Sequence, residues 1–318
     1  MRKNFLGNTG IEVSIAGFGV LPMGPSQLAL PIDEGAEIIR YALKCGINFL
    51  DTAQYYRTYP YISKALENED FKDVVICSKS LCWDYEGMME AILEARESMN
   101  REHIDIFLMH EVRSGQLVER EGAWQALKDA KAQGLVRAIG LSTHHVDITE
   151  AAASMKDLDV VFPLINYAGL GIRKGDEFAT KEEMMEAIHK CHLAGKGIFS
   201  MKAFGGGSLT GHYQEALNYV FSKPEIDSVM IGFGKIAEVD DLITYLDGSM
   251  DKSYNPDISK KKVYINQEDC EGCGSCKAAC PASAIFYNEN GLAEVDHEKC
   301  LTCGYCSPVC PVRAVIMY

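Results

Sequence analysis

The end of the chain carries one cysteine spacing written twice. Cys-x2-Cys-x2-Cys-x3-Cys-Pro begins at Cys270 and again at Cys300, and it uses eight of the 12 cysteines. This is the spacing of thiolate ligands to [4Fe–4S] clusters, so the tail predicts two such clusters and one-electron chemistry. Zinc and disulfides are the alternatives, but a zinc site pairs its cysteines across longer spacers and does not need a third close thiolate. A segment this short buries little apolar core, so we expect the clusters to hold it together.

The two cysteine runs belong to an internal repeat, offset by thirty residues from Cys270 to Cys300. The segments 266–286 and 296–316 share an acidic start, a cysteine run and an apolar, strand-like end. This tail is similar to bacterial two-cluster ferredoxins, in which the fourth cysteine of each run binds the other cluster. The resemblance implies one cluster on Cys270, Cys273, Cys276 and Cys310, and a second on Cys300, Cys303, Cys306 and Cys280.

Up to about residue 247 the sequence alternates short apolar runs with stretches of helical periodicity. The runs, which are typical of buried parallel strands, lie at 13–18, 47–51, 74–79, 104–110, 136–142, 160–166, 197–203 and 229–232. The helical stretches lie at 33–45, 62–66, 87–100, 119–133, 148–154, 181–194, 212–221 and 237–246. Eight strand–helix units predict a (β/α)8 TIM barrel. An open doubly wound sheet is the alternative, but 17–22 lacks the glycine fingerprint expected after its first strand.

We therefore predict an α/β protein in three parts. A TIM barrel occupies 1–247, a polar linker 248–262, and a small α+β ferredoxin-like domain 263–318. The net charge of −14 without a basic stripe argues against nucleic acid or a membrane surface as a partner. No apolar leader and no apolar run of about 18 residues occurs. With its remaining cysteines scattered, the chain is predicted to be cytoplasmic.

Reactive side chains of barrel enzymes lie where the strands end at the C-terminal face. Those positions hold Asp51, Lys79 and His110, and Tyr56 lies in the loop after Asp51. A nearby ammonium lowers the pKa of a tyrosine, a carboxylate holds that ammonium charged, and a histidine orients a carbonyl oxygen. Singly, these residues could be a cap, a solvated strand end and a core histidine. Together they suit proton transfer to or from an alkoxide.

The order of motifs along the chain resembles the aldo-keto reductase family. The resemblance rests on 48–53 with Tyr56, and on 78–79, 105–110, 140–142, 166–167, Gly232 and 238–241. It covers about residues 5–247, and with the tail it implies the ferredoxin-fused branch of that family. It implies that Tyr56 is the general acid/base, that Lys79 with Asp51 lowers its pKa, and that His110 positions the carbonyl. The substrate would be a small-molecule carbonyl or alcohol.

The resemblance also implies a nicotinamide cofactor, with NADP(H) ahead of NAD(H). The implied contacts are Ser142, Asn166, Lys202, Gly205, Gly206, Gly207, Gly232, Lys235, Glu238 and Asp241. Successive glycines let backbone amides approach a pyrophosphate. Lys235 is the one clear cation in the eighth-strand loop, so NAD(H) stays an alternative. Tyr55, Tyr59 and Trp83 are candidate substrate walls or loop packing.

Nicotinamide moves two electrons as a hydride, whereas iron–sulfur clusters move one electron at a time. A flavin would connect the two, but no flavin motif is visible. Either a flavin nevertheless occupies the barrel, or the clusters exchange electrons with the substrate or with a redox protein, or the clusters are structural or regulatory. Two other functions stay open: a ferredoxin whose barrel is a scaffold with weak or lost catalysis, and a cluster-based redox sensor. The substrate and the oligomeric state are left open.

Overall fold

The computed structural model describes residues 1–69, 71, 73–257, 261–280, 282–301, 304–307, 309–312 and 314–317. Its first element is a hairpin that pairs Lys3–Phe5 with Glu12–Ser14. Leu6, Ile11 and Val13 pack with the side chains of the barrel interior. The hairpin thus closes the N-terminal end of the barrel and leaves the opposite end for chemistry.

Eight parallel strands close into a barrel within the described residues, which confirms the predicted fold. They are β1 Ala16–Gly19, β2 Phe49–Asp51, β3 Val75–Ser80, β4 Ile104–Met109, β5 Val136–Thr143, β6 Val160–Pro163, β7 Gly197–Ser200 and β8 Ser228–Gly232. The barrel closes where β8 pairs in parallel with β1, from Val229 opposite Ala16 to Gly232 opposite Gly19. Covered on both faces, the strands form near-continuous apolar runs in the sequence.

A ring of helices surrounds the strands. They are α1 Ile32–Lys44, α2 Tyr59–Leu66, α3 Tyr85–Ser98, α4 Glu121–Ala132, α5 Val146–Ser154, α6 Lys181–Leu193, α7 Tyr213–Phe221 and α8 Ile236–Leu246. The start of α6 is a capping box between Thr180 and Glu183, which satisfies exposed amides of its first turn. In the ranges that the structure describes, no helix is both long enough and apolar enough to cross a bilayer.

The strand and helix edges differ from the predicted ones in a few places. The predicted strand 13–18 is two strands, because Val13 belongs to the hairpin and the barrel strand begins at Ala16. The sixth and seventh strands end at Pro163 and Ser200, since their apolar runs continue into buried loops. The first helix begins at Ile32, one residue before the predicted start at Asp33, so Asp33 lies in its first turn.

Two small sheets form the C-terminal part. Val263–Ile265 pairs with Val315–Met317, and Ile285–Tyr287 pairs with Ala293–Val295. Strands Ile285–Tyr287 and Val315–Met317 each follow one cysteine run, as the internal repeat predicts. The small core between the sheets includes three buried cysteines, Cys276, Cys306 and Cys310. The thiols are therefore part of the core, which suits a domain held together by what they bind.

This C-terminal part lies on the mouth of the barrel, against loops that follow the strands. The Tyr55 hydroxyl, after β2, donates to Asp269 at 2.8 Å. After β7, the built position of a Cβ at Gly207 overlaps the carbonyl oxygen of Met317, so this backbone contact requires glycine. Lys261 of the linker donates to Thr210 Oγ1 at 3.0 Å. The cysteine-rich part thus covers the end of the barrel that carries the candidate active site.

Candidate active site

Two buried side chains of opposite charge lie at the ends of neighbouring strands β2 and β3. Lys79 Nζ lies 2.9 Å from one carboxylate oxygen of Asp51 and 3.0 Å from the other. It also donates to the Thr52 carbonyl oxygen at 2.7 Å. All three contacts hold the ammonium at one point of the mouth.

Tyr56 and His110 complete the group. Tyr56 ends the short helical turn Gln54–Tyr56 that follows β2, and Lys79 Nζ lies 4.6 Å from the centre of its ring. The Tyr56 hydroxyl lies 3.3 Å from Nε2 of His110, the residue after β4. The structure therefore brings together the four side chains predicted from strand ends.

Burial governs the ionisation of these groups. It raises the pKa of Tyr56 to about 12, and Lys79 opposes that rise without reversing it. Burial acts to lower the pKa of Lys79, but Asp51, Tyr56 and Cys77 together oppose this, and the net pKa is raised. Burial, with Lys79 and Arg120 nearby, holds the pKa of His110 well below 6.5. Burial also raises the pKa of Asp51, and Lys79 opposes that rise. At neutral pH the site therefore holds a phenol and a neutral imidazole beside the buried Lys79–Asp51 pair.

Arg120 bonds the backbone of the histidine. The sequence analysis did not identify this residue. Its guanidinium donates to the carbonyl oxygens of His110 at 2.8 Å, Ser80 at 3.1 Å and Cys82 at 3.1 Å. The side chain is only 1% exposed, and burial lowers its pKa to about 10. It joins the loops after β3 and β4. An arginine just before a polar helix start gives no sequence signal of this role.

Glu111 is a second residue of the mouth that the sequence did not indicate. It adopts a left-handed φ of 48°, unusual for a residue with a side chain, and its amide donates to Ser142 Oγ at 2.9 Å. Burial raises the pKa of Glu111, whereas Arg113 and Lys202 act to lower it. The charge of Lys202 also lowers the pKa of His110. Asp269 of the C-terminal part adds to the rise in the pKa of Glu111, so Glu111 lies among charged groups from both parts of the chain.

The cysteines of the first predicted set lie together. Burial and the neighbouring thiols of Cys310, Cys270 and Cys273 raise the pKa of Cys276. Backbone amides also face the sulfurs, because Gly272 N lies 3.5 Å from Cys270 Sγ. This gathered thiol donor set fits a thiolate-bound cluster.

The second predicted set surrounds a cavity. Cys280, Cys300 and Cys306 line a small apolar space, together with side chains of the small core. The amide of Ala284 donates to Cys280 Sγ at 3.3 Å. Cys303 lies outside the described residues. Three thiols around an apolar cavity again fit a cluster site.

Comparison with known families agrees with both parts. The model of the aldo/keto reductase family matches residues 17–216. The chain belongs to the aldo-keto reductase family. A 4Fe-4S dicluster domain matches residues 263–317, so this aldo-keto reductase carries a dicluster ferredoxin domain at its C-terminal end.

Curated relatives of this aldo-keto reductase are oxidoreductases, and so is this chain. It is 24% identical over 280 residues to L-galactose dehydrogenase of Arabidopsis thaliana, covering 74% of this chain and 85% of the relative. It is 26% identical over 181 residues to methylglyoxal reductase DkgA of Escherichia coli, covering 54% and 63%. The holo form of aldo-keto reductase AKR11C1 from Bacillus halodurans superposes with a TM-score of 0.66 at 16% identity, covering 78% of this chain and 91% of that one. This likeness shows the shared barrel fold.

The predicted nicotinamide contacts of this aldo-keto reductase differ in how far they are already bonded to other protein groups. Ser142 is buried in β5, and its Oγ accepts the amide hydrogen of Glu111. The amide group of Asn166 bonds at both ends to the backbone of Leu170, at 2.9 and 3.0 Å, and so holds its own loop. Gly206 faces open space within the described part of the chain. Ser142 and Asn166 are therefore both engaged by the protein, whereas the space where a Gly206 side chain would lie is open.

The two other glycines of that loop are packed. Gly205 has Leu170 and Leu209 beside it, and Gly207 contacts Met317 of the ferredoxin domain. The ferredoxin domain therefore occupies one side of the glycine loop. Of the three glycines in this loop, only Gly206 has open space where a side chain would lie, as far as the structure describes its surroundings.

The loop after β8 carries mixed charge. Lys235 is 69% exposed and lies 3.9 Å from Glu238, whose other oxygen accepts the Gly234 amide at 2.8 Å. Asp241 contributes to a raised pKa of the Tyr254 hydroxyl. The structure adds a cation that the sequence did not place here: Lys261, whose pKa is lowered by burial and by Lys235. Lys261, which follows α8 in the chain, thus lies close to Lys235 and Glu238 of the β8 end.

Proposed function

We propose that this aldo-keto reductase reduces the carbonyl group of a small molecule, with Tyr56 as the proton donor and a nicotinamide cofactor. The observation that carries the proposal is the Tyr56 hydroxyl 3.3 Å from the neutral His110 imidazole, beside the buried Lys79–Asp51 pair. This grouping supplies a donor, an orienting group and a charge that stabilises the product phenolate.

Each residue has a distinct task. A bound nicotinamide dinucleotide supplies the hydride. His110 donates a hydrogen bond that orients the substrate oxygen, and Tyr56 gives its proton to that oxygen as negative charge develops. The Lys79 ammonium then stabilises the Tyr56 phenolate, and Asp51 keeps Lys79 charged in the buried site. Because the pKa of Tyr56 is raised to about 12, the donor form dominates at neutral pH and favours reduction.

For the cofactor we propose NADP(H) ahead of NAD(H). Two cations at the β8 end support this choice, Lys235 of the loop and Lys261 of the linker, since a 2′-phosphate is bound by positive charge. The remaining proposed contacts are Ser142, Asn166, Lys202, Gly205, Gly206, Gly207, Gly232, Glu238 and Asp241. A flavin has no support from a motif.

For the clusters we propose the two sets of cysteines named above as ligands, with 263–318 as the domain that holds them.

A small aldehyde or sugar carbonyl is the proposed substrate class, because relatives are named for methylglyoxal and L-galactose. The proposed compartment is the cytoplasm. A redox protein that exchanges electrons with the clusters is the further proposed partner.

The test is a steady-state assay of the full chain after anaerobic cluster reconstitution. NADPH and NADH are each offered with a panel of aldehydes and ketones. We expect Tyr56→Phe to lower kcat by about 10² to 10⁴-fold, the usual range for loss of a general acid. Tyr85→Phe is the matched control, because its hydroxyl donates to Asp129 at 3.1 Å between two helices of the outer ring. Absence of turnover with every carbonyl and both nucleotides would overturn the proposal.

A further inference from the structure

One contact joins the ferredoxin domain to the residue next to Tyr56. The Tyr55 hydroxyl donates to Asp269 Oδ1 at 2.8 Å and accepts from Asn266 Nδ2 at 3.3 Å. Asn266 also donates to Asp269 Oδ2 at 2.7 Å. The three side chains therefore form a closed triangle of hydrogen bonds between the two domains, which we call the Tyr55 triangle.

The Tyr55 triangle leads directly into the loop of the first cysteine run. Cys270 follows Asp269 in the chain, and its amide donates to the Asn266 carbonyl oxygen at 3.0 Å. Asn266 is buried, and its own amide donates to Ala314. The placement of Asn266 and Asp269 is thus tied to the fold around the cysteines.

On the barrel side, the triangle holds Tyr55, the middle residue of a very short element. The turn Gln54–Tyr56 is anchored at its start, where Ser80 Oγ donates to Gln54 Oε1 at 2.7 Å. After Tyr56 the chain turns at Arg57 with a left-handed φ of 55°. Tyr56 therefore directly follows two anchored residues, Gln54 bonded to the barrel and Tyr55 bonded to the ferredoxin domain.

We propose that Asn266 and Asp269 are positioning residues for Tyr56, so that the proton donor is correctly placed only when the first cysteine loop is folded. The inference rests on the proposed function of Tyr56. Its physical basis is that a small misplacement of a reacting group lowers the rate strongly, while a three-residue turn has few contacts of its own. The fold of the cluster domain thereby controls catalysis in the barrel.

Two ion pairs between the domains are weaker candidates for positioning Tyr56. Arg57 lies 3.4 Å from Glu268, and Arg113 lies 3.7 Å from Glu271, but all four side chains are well exposed. Exposed pairs of this kind contribute little to stability. Glu271 lies two residues from Asp269, beyond Cys270, so it offers a matched control in the same loop.

The experiment uses the full chain with reconstituted clusters. Tyr55→Phe removes the barrel half of the triangle without changing the ferredoxin domain, and Asp269→Ala removes the other half. We expect both to lower kcat about tenfold with little change in KM and with unchanged iron content. We also expect faster amide hydrogen exchange across 52–58 in both. Glu271→Ala should match the wild type, and Asp269→Asn, which keeps an acceptor oxygen, should restore most of kcat.

The exchange measurement separates this inference from the proposed function. If the wild type reduces no carbonyl, faster exchange in Tyr55→Phe and Asp269→Ala still supports positioning, while the proposed function fails. If the wild type is active, unchanged exchange or unchanged kcat in both variants overturns the positioning role. An equal loss in Glu271→Ala also overturns it, because the effect would then belong to the whole loop.

Discussion

Lys79 shares its ammonium between both carboxylate oxygens of Asp51, at 2.9 and 3.0 Å, beside the ring of Tyr56. The pair is almost fully buried, so neither charge can be solvated by water if its partner is lost. The same pair that lies beside the proposed proton donor is therefore also a point on which the stability of the barrel depends.

Lys79→Met should destabilise the protein and inactivate it. It leaves Asp51 buried without a counter-charge, which costs about 3–5 kcal/mol when one partner of a buried pair is removed. Urea unfolding and kcat measure the two effects. The double variant Lys79→Met with Asp51→Leu should recover most of the stability but not the turnover. A single variant as stable as the wild type would contradict this account.

The rate of carbonyl reduction should change little between about pH 6 and 9. Tyr56, with its pKa raised to about 12, stays protonated throughout, and the lowered pKa of His110 keeps the imidazole neutral. Alcohol oxidation needs the phenolate, whose fraction grows as pH rises, so its kcat should increase across the same interval. Profiles of kcat in both directions test the sign. A reduction rate that falls steeply near neutrality would contradict a raised pKa of Tyr56.

Arg120→Lys should lower both stability and kcat. A lysine cannot bond the three carbonyl oxygens that the guanidinium joins, so buried acceptors lose partners at about 1–3 kcal/mol each. Urea unfolding and kcat measure the loss, with a decrease of roughly tenfold in kcat expected because His110 shifts. Arg113→Lys is the control, since that side chain is 42% exposed. Equal effects of the two variants would mean that Arg120 has no special part in holding the site.

Gly207→Ala should separate the ferredoxin domain from the barrel, and Gly206→Ala should not. Both glycines have left-handed φ, 94° and 72°, so each alanine costs about 1–2 kcal/mol in backbone strain. Only the Cβ at Gly207 collides with the Met317 backbone. Limited proteolysis of the linker should therefore be faster in Gly207→Ala alone. The same cleavage rate in both variants would argue against this contact.

Lys261→Met should raise the KM for NADPH by about tenfold and leave the KM for NADH nearly unchanged. The reason is the loss of one charge-assisted hydrogen bond to a phosphate, worth about 1.5–3 kcal/mol. Lys262→Met is the neighbouring control, because Lys262 is exposed. Equal changes for the two nucleotides would place Lys261 outside the 2′-phosphate contact.

Much of the architecture could be predicted from local sequence patterns. Buried parallel strands appear as apolar runs because both faces are covered, and the ends of those runs pointed to Asp51, Lys79 and His110. The repeated cysteine spacing likewise located the dicluster domain at the C-terminal end of the chain. These features are local, since spacing and periodicity are properties of neighbouring residues.

Only the tertiary structure decided how the parts act on each other. Tyr55 and Asp269 are separated by 214 positions, and no pattern along the chain indicates that they bond. Arg120 and Lys261 acquire their roles from the carbonyl groups and charges that folding brings around them. The pKa of Tyr56 reverses the direction expected from Lys79 alone, because burial is a property of the packed mouth. The sequence by itself determined which groups are present, whereas folding set their distances and their exclusion from water.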